Sequence, residues 1–250
     1  MPQSKIKYNF KLKLVRNHDK FYANVNSKLP IKHSFIQIAN LIKNYKKSFK
    51  KKITIVDIGT ATGTFANYLQ SRFFEDNIVG YELLKPLIKV GKKNYPNVEI
   101  KQGNLLNKKM IQKSSTDIIT LLGVLSIFND AEKVVSNLLY WAKPGGKILI
   151  HGPFNPYNID IFIGYKHSEK YQNIEMEAGW NIISHKTIKK LFINNGAKKI
   201  KFHEFDMPID LKRNLNDPLR SWTEKLKSGK RQIINGLWIK QPQYILEVDV

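Results

Sequence analysis

Between residues 53 and 151 the sequence alternates short apolar runs with segments of helical spacing, and this rhythm restricts the chain more than any other feature. Residues 53–58, 78–81, 98–101, 117–122 and 147–151 are β-rich and short enough to be strands. Between them, Phe65, Ala66 and Leu69 suit one helix and residues 86–93 a second. Asp130 can cap a third that runs to Trp141, where Lys143-Pro144-Gly145-Gly146 stops it with a turn. Strands linked through helices pair in parallel and carry helices on both faces of the sheet. Ahead of this block, Ser34 can cap a helix bearing Phe35, Ile38, Leu41, Ile42 and Tyr45. Behind it, Ser184 caps a helix ended by Gly196, and residues 199–205 read as a strand. Residues 232–238 and 244–248 predict a closing hairpin.

Three segments stand outside the rhythm. Residues 1–30 alternate weakly at Ile6, Tyr8, Phe10, Leu12 and Leu14, then turn polar, and the basic run Lys50-Lys51-Lys52 reads as a solvated connector. Residues 152–183 and 207–230 are long, irregular and aromatic, a pattern more often functional than decorative in a compact domain. The expected organisation is a basic extension with its helix over 1–52 and a main domain over 53–250, with cover insertions at about 152–183 and 207–230.

The first strand runs into Asp57-Ile58-Gly59-Thr60-Ala61-Thr62-Gly63 and then a helix. Such a loop turns main-chain N–H groups and the positive helix end toward a ligand, with glycine wherever a side chain would block the turn. The second strand ends at Glu82, 23 residues after Gly59, where a carboxylate can accept hydrogen bonds from both ribose hydroxyls of an adenosine-containing cofactor. A dinucleotide loop calls for G-x-G-x-x-G, whereas this chain has Ala61 and Thr64 at the second and third glycine positions. A phosphate loop needs Lys followed by Ser or Thr, and Thr64-Phe65 stands there instead. Asp57 would repel a pyrophosphate but suits a cationic ligand with an ammonium group. These features favour S-adenosylmethionine over the two rivals.

The order of motifs resembles that of class I S-adenosylmethionine-dependent methyltransferases over roughly residues 35–151. Asp57, Gly59, Ala61 and Gly63 match that family's D-x-G-x-G-x-G, with Ala61 in place of the middle glycine. Glu82, followed by Leu83, matches its ribose-binding acid, and Gly103-Asn104-Leu105 resembles its Gly-Asp at the adenine, with the charge lost at Asn104. Gly123 and Val124 occupy the segment after the fourth strand that lines the cofactor, and Thr60 lies within the loop. The resemblance implies a Rossmann-like α/β fold with a seven-stranded, mostly parallel sheet, helices on both faces, an antiparallel last strand and inserted lid segments. It also implies S-adenosylmethionine as methyl donor and S-adenosylhomocysteine as product.

The acceptor is less legible. With no cysteine, the chain has no thiol nucleophile, no cysteine-held zinc or iron–sulfur site and no route to cysteine-addition methylation of cytosine. No metal site is expected, because the strand ends at Gly123 and His151 supply no carboxylate cluster. Candidate catalytic groups are His151, ending the fifth strand, with His167 and Tyr157 in the first irregular segment. Asp160, Tyr165, Glu169 and Tyr171 could line an acceptor pocket beside them. Asn155-Pro156-Tyr157 evokes the N-P-P-Y of amino-group DNA methyltransferases but follows the fifth strand rather than the fourth, and reads as structural.

The net charge is +22, of which residues 1–52 carry +13, with 14 Lys/Arg against the single acid Asp19. A lysine-biased surface and attraction to an anionic partner both account for it. Two acceptors follow: a small or sugar-linked molecule, with a phosphate met by Lys166, Arg213 or Arg220, or an RNA gripped by the basic N-terminal region. The first is preferred, because no RNA-binding module is readable. Residues 217–222 weakly resemble uncharacterised methyltransferases near bacterial capsule and surface-glycan genes, which implies O-methylation in such a pathway. A non-catalytic cofactor-binding protein is the remaining alternative. Without an apolar run long enough to cross a bilayer or an apolar N-terminal signal core, the expected location is the cytoplasm.

Overall fold

A computed structural model describes residues 12–24, 30–48, 51–170 and 175–250. The alternation at Ile6, Tyr8 and Phe10, and also Lys50 and Tyr171, lie outside the described residues. A short strand β1 (Leu12–Lys13), a 3-10 helix (Asn17–Asn24) and α1 (His33–Lys46) precede the alternating block. That block comprises β2 (Thr54–Ile58), α2 (Thr64–Arg72), β3 (Asn77–Glu82), α3 (Lys85–Asn94), β4 (Glu99–Gln102), β5 (Thr116–Leu122), α4 (Ala131–Trp141) and β6 (Ala142–Asn155). Next come β7 (Gly164–Tyr165), β8 (Met176–Ala178), β9 (Ile183–Ser184), α5 (His185–Asn194) and β10 (Lys199–Glu204). The chain ends with β11 (Trp222–Lys225), β12 (Arg231–Ile234) and β13 (Gln243–Asp249). No described helix is long and apolar enough to cross a membrane.

The main sheet has the order β10-β13-β6-β5-β2-β3-β4, with β9 added beside the end of β6. Its pairs from β6 to β4 are parallel, and β13 runs antiparallel to both β6 and β10. This is the seven-stranded α/β arrangement expected from the sequence. Strand β5 shows why the centre is parallel: six of its seven residues are buried, as a strand covered on both faces requires. On one face α1, α2 and α3 contribute Phe35, Ile38, Ile42, Phe65, Leu69 and Ile88 to a core with Ile55 and Ile118. On the other, α4 and α5 bring Val135, Leu138, Trp141, Ile188 and Phe192 against Ile119, Ile148 and Leu246. The helix of the basic extension thus packs into the same core as the strands.

Local caps are formed where expected in two of three helices. Asp130 accepts the Lys133 N–H at 3.1 Å and Ser184 the Thr187 N–H at 3.1 Å. Ser34 caps nothing, because α1 starts two residues earlier with Lys32 at its N-cap and no side-chain bond there. The residues of the expected turn Lys143-Pro144-Gly145-Gly146 bulge out of the pairing, which jumps from Thr116–Ala142 to Ile118–Lys147.

The closing hairpin is not formed. β12 pairs with β11 in a separate two-stranded ribbon, whereas β13 inserts between β6 and β10. Sequence proximity suggested the hairpin, but the apolar residues Ile245, Leu246 and Val248 bury fully only within the main sheet.

Candidate active site

Strand order reverses on either side of β2, whose neighbours are β3 and β5, and in open α/β sheets this opens a crevice at the carboxyl ends of the strands. A cavity of about 460 Å³ lies there. Residues 57–62 after β2, 82–84 after β3, 103–106 after β4, 122–124 after β5 and 151–153 of β6 form its walls.

The loop after β2 is held by main-chain bonds from Gly59 and Thr60 N–H to the Tyr81 carbonyl, at 2.8 and 3.1 Å. Gly59 has φ +70°, and a Cβ there would meet Val124 Cγ2 at 2.4 Å, so the turn and the close approach both demand glycine. Ala61 also adopts a left-handed conformation, with φ +51°. That conformation sends its N–H to Glu82 Oε2 at 2.9 Å, while Glu82 Oε1 accepts the N–H groups of Leu83 and Leu84 at 2.8 and 2.9 Å. Burial raises the Glu82 pKa and the three main-chain bonds oppose the rise. A carboxylate has about four acceptor positions, so Glu82 retains capacity for a ligand hydroxyl.

Asp57 is 2% exposed and accepts the Thr120 hydroxyl at 2.8 Å. Burial lifts its pKa to about 6. The Thr60 hydroxyl lies close enough to temper that rise but forms no hydrogen bond of proper geometry. Asn104 Oδ1 accepts the Leu106 N–H at 2.9 Å, bracing its own turn.

Asp57, Gly59, Thr60, Ala61, Glu82, Leu83, Gly103, Asn104, Leu105, Gly123 and Val124 all line the cavity, as does His151. Gly63 does not. It caps α2 with φ +77°, and a Cβ there would meet Ile100 Cδ1 at 2.6 Å, so its glycine serves packing.

Two of the three candidate catalytic side chains fall elsewhere. Tyr157 is 75% exposed, in a turn that Asn155 ties by accepting the Tyr157 N–H and donating to the Ile159 carbonyl. His167 stands 3.9 Å from Glu177 beside Tyr165. Asp160 accepts the Ser184 N–H and the Thr187 hydroxyl at the start of α5. None of Tyr157, Asp160 and His167 lines the cavity.

The sequence reading missed the roof. Residues 12–24 lie over the cavity, with Leu14, Val15, Arg16, Asp19 and Tyr22 facing it, and Trp180 and Ser221 join them. β1 pairs in parallel with β8, and Asn17 donates twice to Glu177, which also accepts the Tyr165 hydroxyl. The Arg16 guanidinium lies 4.5 Å over the Trp180 ring and pairs with Asp19. Buried Asp217 meets His18 Nδ1 and Arg220 Nε, each at 3.0 Å. The N-terminal segment and both irregular insertions are thus tied together above the strand ends. Asp19, the lone acid among the first 52 residues, was the available clue.

His151 closes the far wall. Burial, and secondarily the charge of Lys32, push its pKa down to about 4, so the ring is neutral near pH 7. Its edge meets the Phe205 ring at 5.0 Å.

Comparison with known proteins agrees with this geometry. The family described as "Methyltransferase domain" matches residues 32–201. The chain belongs to that family. It is 27% identical over 97 residues to "Putative methyltransferase 235L" of Invertebrate iridescent virus 6, a match spanning 39% of this chain and 36% of that one. Among solved structures it is similar to an S-adenosylmethionine-dependent methyltransferase of Archaeoglobus fulgidus, with TM-score 0.53, 14% identity and coverage of 86% and 94% of the two chains. The YcgJ protein of Bacillus subtilis gives TM-score 0.55 at 15% identity, with 84% and 97% covered. Residues 32–201 thus form a methyltransferase domain, for which S-adenosylmethionine is the expected methyl donor. The cavity suits that cofactor: Asp19, Asp57 and Glu82 place carboxylates in its β2–β3 half, wrong for a pyrophosphate and right for a cation.

Proposed function

We propose that the protein acts in the cytosol and transfers methyl groups to a small acceptor held beneath the roof, with residues 57–62, 82–84, 103–106 and 122–124 holding the donor. One observation carries this reading: the N-terminal segment forms part of the site's roof. Arg16, a basic residue that an RNA-binding extension would turn outward, is buried against Trp180 and paired with Asp19. The bound cofactor supplies a methyl group already activated by its positive sulfur. The chain's task is then to orient the acceptor and exclude water, and positioning of this kind is worth on the order of 7–11 kcal/mol.

Glu82 is assigned to the ribose hydroxyls, and the apolar side chains of Leu83, Leu105 and Val124 to the adenine. Neutral His151 is the candidate to take a proton from an acceptor hydroxyl, although a base of pKa about 4 holds that proton weakly. A hydroxyl on a surface-glycan precursor is the finer proposal. It rests on the resemblance of residues 217–222, a segment that also fastens the roof through Asp217.

Calorimetric titration with S-adenosylhomocysteine tests the reading. Glu82→Ala should weaken binding at least tenfold, and deletion of residues 1–24 should weaken it as well by stripping the roof. Unchanged affinity in Glu82→Ala would overturn the cofactor assignment. Unchanged affinity in the deletion, with loss of RNA binding, would favour the RNA acceptor instead.

A further inference from the structure

One wall of the cavity is unlike the rest. Lys32, Ser34 and Phe35 at the start of α1 line it with His151, Ser221 and Gln241. The Lys32 ammonium lies 5.3 Å from the Phe35 ring centroid and forms no ion pair among the described residues. Lys32 is exposed, and it lines the cavity. Loss of solvent, and then the nearby charge of Arg220, lower its pKa, and its own charge acts in turn on His151. Gln241 is 5% exposed, and its side-chain Nε2 has no hydrogen-bond partner among the described residues; the same holds for Nε2 of His151. The 14-residue helix α1 begins here without a side-chain cap, which adds the positive end of its dipole. The cavity's carboxylates act on one another, Glu82 on Asp57 and Asp19 on Glu82, and not on Lys32.

A cation without a counter-charge, a buried amide donor without an acceptor and an uncapped helix start converge on one wall. Each is left unsatisfied by the protein, and a single negatively charged group would satisfy them together. The structure assigns this wall as an oxyanion subsite, in which a carboxylate or phosphate of the methyl acceptor pairs with Lys32 and takes a hydrogen bond from Gln241. The assignment rests on the proposed methyl transfer in the same cavity and specifies its substrate class: small acids or phosphate monoesters.

The residues expected to meet a phosphate are placed differently. Arg213 packs 4.9 Å over the Trp222 ring, and Lys166 is exposed away from the cavity. Arg220 is paired with Asp217, and its charge acts on Lys32.

Inorganic phosphate and acetate serve as separate probes. Each is titrated into the protein saturated with S-adenosylhomocysteine, at constant ionic strength against chloride, with binding followed by Trp fluorescence and by histidine-ring NMR. At least one anion should bind in preference to chloride and shift the His151 ring signals. Lys32→Met should weaken that binding at least tenfold and Gln241→Leu several-fold, Lys32→Arg should retain it, and all three should keep their affinity for S-adenosylhomocysteine within about twofold. Preference for phosphate identifies a phosphate monoester as acceptor, and preference for acetate a carboxylic acid. Binding of neither anion beyond chloride, or equal binding by Lys32→Met, overturns the subsite. Should S-adenosylhomocysteine itself fail to bind, the donor reading falls, while Lys32-dependent anion binding would still stand.

Discussion

Asp57→Asn isolates the energetic cost of the acid at the head of the glycine loop. Burial carries the Asp57 pKa from 3.8 to about 6, so the folded protein holds this proton more tightly than the unfolded chain does. The stabilisation is therefore complete below pH 3.8 and disappears as pH rises through 6. At ~1.4 kcal/mol per pKa unit, the ionised carboxylate costs the fold about 3 kcal/mol, and about 1.4 kcal/mol of that loss falls between pH 5 and 7.5. Asn keeps the shape and can still accept the Thr120 hydroxyl, so the variant should lack this pH dependence. Urea unfolding of both proteins at half-unit pH intervals checks it. The stability of Asp57→Asn relative to wild type should rise by about 1.4 kcal/mol from pH 5 to 7.5, with the titrations of groups not coupled to Asp57 cancelling in the difference. A cationic donor beside Asp57 would favour the ionised form, so wild-type affinity for S-adenosylmethionine should increase over the same window and that of the variant should not. A stability difference independent of pH would refute the reasoning.

Two further substitutions probe the loop and the roof. Ala61→Gly removes a left-handed alanine that costs about 1–2 kcal/mol, against about 0.4–1 kcal/mol of added unfolded-state entropy, so Tm should rise by roughly 1–3 °C in a thermal melt. A lower Tm would show that the Ala61 conformation is unstrained. Asp217→Ala leaves His18 and Arg220 without their shared acceptor, and S-adenosylhomocysteine should dissociate several-fold faster in stopped-flow displacement. Trypsin cleavage at Arg16 should accelerate in parallel, and unchanged rates for both would dissociate Asp217 from closure of the roof.

The parts of this protein that the sequence made legible are those governed by neighbours along the chain. The caps at Asp130 and Ser184 are bonds to residues three positions on, and the apolar periodicity of residues 53–151 reports burial of each element separately. The glycine loop is legible for a similar reason, since the residues that mark it stand within a few positions, although Tyr81, Glu82 and Val124 hold it in place. Ser34 failed as a cap because the helix could begin two residues earlier, a choice that local preference does not decide. The closing hairpin failed because residues 243–249 gained more buried surface between β6 and β10 than beside their sequence neighbours, with Lys147 and Glu247 brought together across 100 positions.

By itself, then, the sequence determined an α/β sheet with a donor-binding crevice, because the motif that defines the crevice is short and the alternation around it periodic. Only the tertiary structure decided what covers and completes that crevice. The roof depends on Asn17 meeting Glu177 across 160 residues and His18 meeting Asp217 across 199, contacts with no periodicity to announce them. Lys32 is one of 42 basic residues in the sequence, and only the packing around it sets it apart as a cation facing a cavity without a counter-charge.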